Sequence, residues 1–295
     1  MHGDDYLIVG TRGSNLATIQ TKYIIKELTK ITDKEIEMSI VKSTGDKITN
    51  TQLYNMDPKG IFTRELDQAV LNEEVDFAVH SMKDVPSEID DDLEIAAVPV
   101  RESPHDVLIS KFSWEELSPG SKLGTSSLRR EAFCNHHQKN FKLEPLRGNI
   151  ETRIKKVFKG YCDATLMAEA GLIRLGLTEY IKYRFPLDYL TPPAGQGALA
   201  VICRKDSDFK STLNKLNHYQ SSQEILAEKT VLRELGVGCQ WPLGAIAQSN
   251  NEKIKLYCIL LEKNGKVLSE VNIYAGIKEA EQLGEKAATL MEDYI

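Results

Sequence analysis

Seven cationic side chains stand at predicted turns or helix ends, where a charged group can meet a ligand. They are Arg12, Lys83, Arg129, Arg130, Arg147, Arg153 and Arg174. A positive charge in the first turn of a helix opposes the helix dipole, so stability alone does not favour it there. Arginine binds carboxylates through two parallel hydrogen bonds. Each residue alone could be an ordinary surface cation, but together they indicate a site for an anionic molecule.

Two strand-to-helix turns have related sequences, GTRGS at residues 10–14 and GTSS at residues 124–127. The start of a helix is a natural anion site, because free backbone N–H groups and the helix dipole both favour negative charge. Two such turns facing one cleft would hold a ligand that carries several carboxylates.

Asp84, directly after Lys83, is the candidate catalytic carboxylate. It follows a predicted strand at residues 75–80, and α/β sheets place their sites at the carboxyl ends of strands. Position alone equally allows Asp84 to cap the turn. His80, at the end of the same strand, could act as a base or could simply be hydrogen-bonded.

Cys239 differs from the other four of the five cysteines. Glycines at 236, 238 and 244 surround it, so we expect a reachable thiol that can serve as a nucleophile or an attachment point. Cys134 and Cys203 fall in predicted regular elements and are expected in the core. The odd count, wide spacings and lack of CxxC argue against a disulfide framework or a structural zinc site. His136 and His137 lie near Cys134 without a second ligand cluster, so we expect no metal.

Predicted strands alternate with helices through most of the chain, which is long enough at 295 residues for roughly two or three domains. The strands are expected at residues 7–10, 36–41, 75–80, 107–110, 141–146, 164–167 and 198–203. This alternation is typical of mainly parallel sheets covered by helices. After a predicted loop at 236–244, strands at 253–261 and 267–274 precede a final helix. This tail predicts a separate small α+β domain.

The overall charge and the apolar content exclude several classes of protein. A net charge of −6 argues against a general nucleic-acid-binding protein. No apolar run approaches the length of a membrane helix. The first residues show no basic region followed by a long apolar stretch, so we expect no secretory signal and a cytoplasmic location.

Six motifs occur in the order that a known family shows. They read AVHSMKDVP at 78–86, LGTSSLRR at 123–130, LRGN at 146–149, AGLIRLGL at 170–177, PAGQGAL at 193–199 and GCQWPLGA at 238–245. Together they resemble the porphobilinogen deaminases, also called hydroxymethylbilane synthases. The matches run from Thr11 to Ala245, and six separate motifs in one order are a specific signal.

The resemblance implies two domains like those of type II periplasmic binding proteins, with mainly parallel sheets, plus a small C-terminal α+β domain. It implies domain 1 at 1–99 with 194–217, domain 2 at 100–193 and a C-terminal domain with the cofactor cysteine at 218–295. It also implies a transferase of tetrapyrrole and haem biosynthesis. That enzyme joins four porphobilinogen molecules head to tail, with loss of ammonia, and releases linear hydroxymethylbilane.

The resemblance implies site residues through the matched motifs. A dipyrromethane cofactor is attached to Cys239 through a thioether, and Asp84 and Lys83 are catalytic. The implied cofactor-binding residues are Ser14, Lys83, Asp84, Thr125, Ser126, Ser127, Arg129, Arg130, Arg147 and Gly148. The implied substrate-binding residues are Arg12, Ser14, Lys59, Arg147, Arg153, Arg174 and Gln196. The family also suggests a monomer, with transient hand-over of the product to uroporphyrinogen III synthase.

Two positions depart from the family pattern. Asp57 and Pro58 stand where a glycine pair often precedes the lysine of a mobile loop, and Trp241 stands where a smaller aliphatic residue is common.

Two other classes of protein share the fold class. A solute-binding module would not explain a glycine-flanked cysteine, and a phosphoribosyltransferase would need a phosphate loop and carboxylates for Mg²⁺. A mass two pyrrole units above that of the chain, with colour in acid Ehrlich reagent, would distinguish the three.

Overall fold

A computed structural model describes residues 6–42, 63–238 and 241–295, so Lys59 and Cys239 lie outside the described residues. The chain divides into two compact units. Unit 1 comprises residues 1–102 and 198–222, and unit 2 comprises residues 103–197 and 223–295. The division into three domains stays a prediction.

The described residues form the following regular elements. The strands are β1 (Tyr6–Thr11), β2 (Glu35–Ile40), β3 (Phe77–Ser81), β4 (Leu93–Ala97), β5 (Asp106–Ser110), β6 (Lys122–Gly124), β7 (Lys142–Glu144), β8 (Ala164–Ala168), β9 (Tyr183–Arg184), β10 (Leu199–Arg204), β11 (Leu243–Ser249), β12 (Lys253–Leu261) and β13 (Val267–Gly276). The α-helices are α1 (Asn15–Leu28), α2 (Arg64–Leu71), α3 (Leu128–His136), α4 (Ile150–Phe158), α5 (Glu169–Leu175), α6 (Lys210–Asn214), α7 (Tyr219–Glu234) and α8 (Ala280–Thr289). Within the described ranges, no helix is long and apolar enough to cross a membrane.

Unit 1 is built on a five-stranded sheet with the strand order β2-β1-β3-β10-β4. Strand β1 runs parallel to β2 and β3, whereas β10 runs antiparallel to β3 and β4. Leu7, Val9 and Phe77 of the sheet are fully buried, and Ile24 and Leu28 of α1 pack into the same core. Because β1 and β3 are parallel neighbours, the residues that follow them emerge at the same edge of the sheet.

Unit 2 contains a second five-stranded sheet, with the order β7-β6-β8-β5-β9, and an antiparallel sheet with the order β11-β12-β13. The two sheets share hydrophobic packing, because Ile259 and Leu261 of β12 lie in one core with Phe133 of α3 and with Phe185. Helix α8 packs on the antiparallel sheet, where Leu283 belongs to a second core.

The predicted fold class is confirmed, with two α/β sheets and a small C-terminal α+β region, but the strand directions need a correction. Each five-stranded sheet is mixed, with two parallel and two antiparallel strand pairings, rather than mainly parallel. The antiparallel strands β5 and β10 are almost wholly buried. A strand buried on both faces is a continuous apolar run in either direction, so the sequence pattern does not reveal its direction.

The C-terminal region contains three strands rather than the two predicted. Residues 243–249 form β11, although residues 236–244 were expected to form a loop. Gly244, Ala245 and Ala247 are weak strand formers, which hides the strand in the sequence. Pairing with β12 and burial of residues 243–247 favour the strand nevertheless. Strand β4, also absent from the predicted set, pairs with β10 in unit 1.

Candidate functional site

A small cavity of about 70 Å³ lies at the edge of the unit 1 sheet where β1 and β3 end. Arg12 follows β1 directly, and Asp84 ends the short 3₁₀ turn Met82–Asp84 that follows β3. The parallel pairing of the two strands therefore brings Arg12, Ser14 and Asp84 to one cavity, while their roles as site residues stay predictions. Its polar lining residues are Arg12, Ser14, Gln20, Thr63, His80, Ser81 and Asp84.

The start of α1 contributes positive potential to this cavity. Ser14 is the N-cap residue, and its Oγ accepts a hydrogen bond from the backbone N–H of Ala17 at 3.2 Å. The first turn of α1 holds no acidic residue, so the helix itself does not neutralise the positive end of its dipole. Together with Arg12, this helix end favours a carboxylate in the cavity.

The turn that carries Lys83 and Asp84 is held at its start. Met82 is fully buried, and its backbone N–H donates to the carbonyl of Ala198 at 3.0 Å. Ser81, at the end of β3, accepts a hydrogen bond from Gln20 Nε2 at 3.1 Å. The half-buried Asp84 carboxylate therefore projects from a fixed backbone, which suits a group that must face a defined ligand atom.

His80 lies in the wall of the same cavity with its side chain almost fully buried. Its Nε2 is 3.3 Å from Oδ1 of Asp67 in α2. His80 therefore has a carboxylate neighbour inside unit 1, but neither His80 Nε2 nor Asp67 Oδ1 forms a hydrogen bond, so the predicted hydrogen-bonded role is not seen at this nitrogen. Its action as a base stays untested.

In unit 2, Arg129 and Arg130 at the start of α3 share one buried carboxylate. Asp106, the first residue of β5, is 0% exposed. Its Oδ2 accepts from Arg129 Nη2 at 2.6 Å, and its Oδ1 accepts from Arg130 Nη2 at 2.7 Å and Nε at 3.1 Å. Burial alone would raise the pKa of Asp106, but the charges and hydrogen bonds of the two arginines outweigh it and lower that pKa.

The turn before α3 is ordered by its own hydroxyl groups. Thr125 Oγ1 accepts from the backbone N–H of Ser127 at 3.1 Å, and Ser127 Oγ caps α3 by accepting from the N–H of Arg130 at 3.4 Å. Predicted cofactor-binding residues 125–127 thus form the start of the helix that carries the arginine pair. This arrangement explains two cations in a first helical turn, because Asp106 compensates them.

Arg147 and Arg153 extend the positive charge around Arg130. Arg153 Nε donates to the carbonyl of Gly148 at 2.8 Å, which holds the side chain against the loop before α4. Burial, followed by the positive charges of Arg130 and Arg147, lowers the pKa of Arg153 to about 10. Arg153 therefore lies close enough to both Arg130 and Arg147 to be repelled by them, and we call these three residues the arginine cluster.

Arg174 and Gln196 meet at the turn formed by residues 195–197. Arg174 Nη2 donates to the carbonyl of Gly197 at 2.6 Å. Gln196 is 1% exposed, and its Nε2 donates to the carbonyl of Pro104 at 2.7 Å. Gly195 N–H donates to the buried carboxylate of Glu228 at 2.7 Å. Both predicted substrate-binding residues of this region are thus fixed by backbone contacts inside unit 2.

Comparisons with known proteins decide which family this geometry serves. A family model described as "Porphobilinogen deaminase, dipyromethane cofactor binding domain" matches residues 7–236, and one for the porphobilinogen deaminase C-terminal domain matches residues 222–293. The chain belongs to the porphobilinogen deaminase family. Its resemblance to that family, read from six motifs, is confirmed.

Individual relatives of the porphobilinogen deaminase family match over nearly the whole chain. A "Probable porphobilinogen deaminase" from Methanothermobacter thermautotrophicus is 61% identical, over 98% of this chain and 100% of that protein. A "Porphobilinogen deaminase" from Desulforudis audaxviator is 39% identical, over 96% of this chain and 93% of that protein. Among solved structures, the methionine-binding protein MetQ is similar over 72% of this chain and 89% of that chain, with 10% identity and a TM-score of 0.44.

The arginine cluster fits the dipyrromethane cofactor of the porphobilinogen deaminase family. Each pyrrole unit carries an acetate and a propionate, so the cofactor is a polyanion. The lowered pKa of Arg153 reflects burial and positive charge that the protein leaves in excess, which a polycarboxylate would offset. Unit 2 thus offers the donor set that such a group needs.

Four cysteines are buried thiols, as predicted for Cys134 and Cys203 and now seen also for Cys162 and Cys258. Burial raises the pKa of Cys134 to about 12 and that of Cys203 to about 11, so both stay protonated and unreactive at neutral pH. No group of three metal-ligating side chains occurs among the residues that the structure describes. The attachment role of Cys239 stays a prediction.

Sequence reasoning missed Asp106, the residue that joins the arginine pair. The signal was present in the sequence, because Asp106 immediately precedes the apolar run of residues 107–109. A carboxylate at the start of a buried strand must find a cation partner inside the protein. The pair of arginines at 129 and 130 was the available partner, but only the fold shows that the two segments meet.

Proposed function

We propose that this chain joins four porphobilinogen molecules head to tail, releases ammonia at each step, and delivers linear hydroxymethylbilane. Membership of the porphobilinogen deaminase family carries the activity and its dipyrromethane cofactor. The arginine cluster is the observation on this chain that supports it best. A growing chain gains two carboxylates per added unit, and only a concentration of guanidinium groups can balance that charge in a partly desolvated site.

Asp84 is proposed as the catalytic carboxylate. Loss of ammonia turns the substrate into a positively charged, electron-poor pyrrole species. A fixed carboxylate beside that species stabilises the charge as it develops. Asp84 is also proposed to accept and return protons at the pyrrole nitrogens. Its place in the unit 1 cavity, on a turn held at Met82 and Ser81, supports both roles.

The other predicted site residues are proposed to orient acidic side groups. Dipyrromethane, when bound, supplies the pyrrole carbon to which the first substrate is joined. Arg12, Ser14 and Lys83 in unit 1 would pair with carboxylates at the start of α1. In unit 2, the residues proposed to bind the acidic side groups of cofactor and substrate are Thr125, Ser126, Ser127, Arg129, Arg130, Arg147, Gly148, Arg153, Arg174 and Gln196. Lys59 and Cys239 keep their proposed roles, substrate binding and cofactor attachment, on family motifs alone.

The cellular setting is proposed from the family pattern. This pattern comprises a cytoplasmic location, a monomeric state and a transient hand-over of the product to uroporphyrinogen III synthase. Size-exclusion chromatography with light scattering tests the monomer. A monomer mass at micromolar concentration agrees with the proposal, and a stable dimer contradicts it.

Intact mass spectrometry tests the proposed function directly. Protein purified from cells that make porphobilinogen should weigh two pyrrole units more than the chain, and should colour with acid Ehrlich reagent. The Cys239→Ser variant should show the mass of the chain alone, because oxygen replaces the proposed attachment sulfur. Added porphobilinogen should lose ammonia only in the presence of the unsubstituted protein. An unsubstituted protein with neither the added mass nor ammonia release would contradict the proposal.

A further inference from the structure

Asp106 is a fully buried carboxylate that both arginines at the start of α3 contact. Its two oxygens accept three hydrogen bonds, two from Arg130 and one from Arg129. The side chains of both arginines are themselves nearly buried, with exposed fractions of 6% and 12%. Three charged groups are therefore removed from water together. The cost in desolvation free energy must be offset by the attraction and hydrogen bonds among them.

The contacts of Asp106 restrict where each guanidinium can point. Arg130 donates from both Nε and Nη2 to Oδ1 of Asp106, which fixes the plane of its guanidinium. Arg129 is held between Asp106 and the carbonyl of Thr191, to which its Nη1 donates at 2.6 Å. Without the carboxylate, nothing would offset the repulsion between Arg129 and Arg130, and Arg130 would also be repelled by Arg153 of the arginine cluster.

We propose that Asp106 is a positioning residue for cofactor binding, which holds Arg129 and Arg130 in the orientation that receives a polycarboxylate. The inference rests on the proposed function, because it assigns that polycarboxylate as the dipyrromethane cofactor. Asp106 carries the same charge sign as the ligand and lies behind the arginines, so it acts through them. Two cations and one anion leave a single net positive charge, on guanidinium groups that are held in place by the hydrogen bonds they donate to Asp106.

A purely structural role is the alternative, and unit 2 contains a matched control for it. Glu169, the first residue of α5, is also nearly buried, at 4% exposure. It accepts a hydrogen bond from Arg184 Nε at 2.8 Å and another from the hydroxyl of Ser103. Arg184 is not one of the predicted site residues. Removal of either carboxylate breaks an ion pair between a buried carboxylate and an arginine, although Arg184 itself is exposed. Only Asp106 supports the proposed cofactor-binding residues.

The experiment compares Asp106→Asn with Glu169→Gln in full-length protein prepared without cofactor. Porphobilinogen is added over a range of concentrations, and intact mass spectrometry gives the concentration at which half of the chains have gained two pyrrole units. For Asp106→Asn we expect this half-loading concentration to be at least about tenfold higher than for the unsubstituted protein, the effect of losing one charge-assisted hydrogen bond. Glu169→Gln should load like the unsubstituted protein, although both variants should melt at lower temperature.

Asp106→Glu keeps the charge and covers the case in which Asp106→Asn does not fold. Its longer side chain should displace both guanidinium groups while still compensating them, so the variant should fold yet load at higher porphobilinogen concentration. Loading of Asp106→Asn or of Asp106→Glu at the same concentration as Glu169→Gln would overturn the inference. Failure of the unsubstituted protein to gain any pyrrole mass would instead overturn the proposed function, so the two failures are distinguishable.

Discussion

Asp84 and Asp106 are carboxylates with cationic neighbours, but their surroundings give them different uses. Asp106 is fully buried, and both its oxygens accept hydrogen bonds from arginines, so it has no access to a reacting atom. Asp84 is half-buried on the wall of a cavity that also contains Arg12. Solvent and ligand can reach Asp84, which leaves it available for chemistry.

Replacement of Asp84 should reduce turnover without unfolding the protein. In Asp84→Asn the side chain keeps its size but loses the charge that stabilises a cationic intermediate. We expect kcat for porphobilinogen consumption to fall by about a hundredfold or more, as for removal of other preorganised electrostatic groups. Glu88→Gln, which changes a carboxylate four residues away and outside the cavity lining, is the control and should retain normal turnover. Near-normal kcat in Asp84→Asn would refute the catalytic role.

Arg153 should destabilise the protein when no cofactor is bound. Its pKa, lowered to about 10 by burial and by two neighbouring arginines, means that folding disfavours its charge. Above about pH 10 the unfolded chain therefore binds more protons at Arg153 than the folded chain does, so the free energy of unfolding rises with pH there. At pH 7 Arg153 is charged in both states, and its full destabilising effect is present. Partial exposure and the hydrogen bond to Gly148 reduce the net effect.

In cofactor-free protein at pH 7, Arg153→Gln should therefore raise the free energy of unfolding by about 1 kcal/mol at low salt. Chemical denaturation measures this change, and added salt should shrink it because screening weakens the repulsion. Lys155→Gln removes an exposed charge from the same helix and should change stability little. A destabilised Arg153→Gln protein at low salt would show that the arginine cluster is not in repulsion.

At the scale of elements, the loop before α4 positions two of the clustered arginines. Gly148 separates Arg147 from Asn149, and Asn149 caps α4 by accepting from the backbone N–H of Thr152 at 2.8 Å. The φ of Gly148 is +113°, a conformation that other residues rarely adopt. Its backbone therefore lets the chain turn sharply from Arg147 into the helix that carries Arg153.

Gly148→Ala should disturb this turn more than a matched substitution elsewhere. A Cβ at Gly148 would lie 2.8 Å from Thr152 Cγ2, in addition to the unfavourable φ. Gly160, with a φ of +80°, has open space within 4 Å of the point that an alanine methyl group would occupy, so Gly160→Ala reports the backbone strain alone. We expect a loss of about 1 kcal/mol for Gly160→Ala and about 2–3 kcal/mol for Gly148→Ala in thermal unfolding. Equal losses would mean that the contact with Thr152 relaxes freely.

Local signals explain which parts of this site were predictable. The cap at Asn149 and the strand-to-helix turn at 124–127 follow from nearest-neighbour chemistry and match the structure. The meeting of Asp106 with Arg129 depends on which strands pair, and no periodicity in the sequence specifies that. Strand β11 was missed for a related reason, since its small residues become a strand only through pairing with β12.

At the scale of the molecule, the sign of the total charge conceals the local charge that matters. The chain carries a net charge of −6, yet burial and then the nearby charges of Arg130 and Arg147 lower the pKa of Arg153 in unit 2. An acidic surface keeps a protein apart from nucleic acid and from other acidic molecules. A local cationic cluster on such a protein selects a small polyanion that can approach closely, which agrees with a polycarboxylate ligand.

Unit 2 should depend on its C-terminal sheet for stability, because Ile259 of β12 is buried in one core with Trp114. Both tryptophans of the chain, Trp114 and Trp241, lie in unit 2, so selectively excited tryptophan fluorescence comes from that unit alone. Ile259→Ala should lower the denaturation midpoint detected by fluorescence. We expect the free energy of unfolding to fall by about 2–4 kcal/mol, the cost of a cavity at a buried aliphatic side chain. Val267→Ala on β13 is 36% exposed and should cost far less. An unshifted fluorescence transition in Ile259→Ala would mean that the C-terminal sheet unfolds without the core around Trp114. Packing between the two sheets of unit 2 would then contribute little to the stability of its five-stranded sheet.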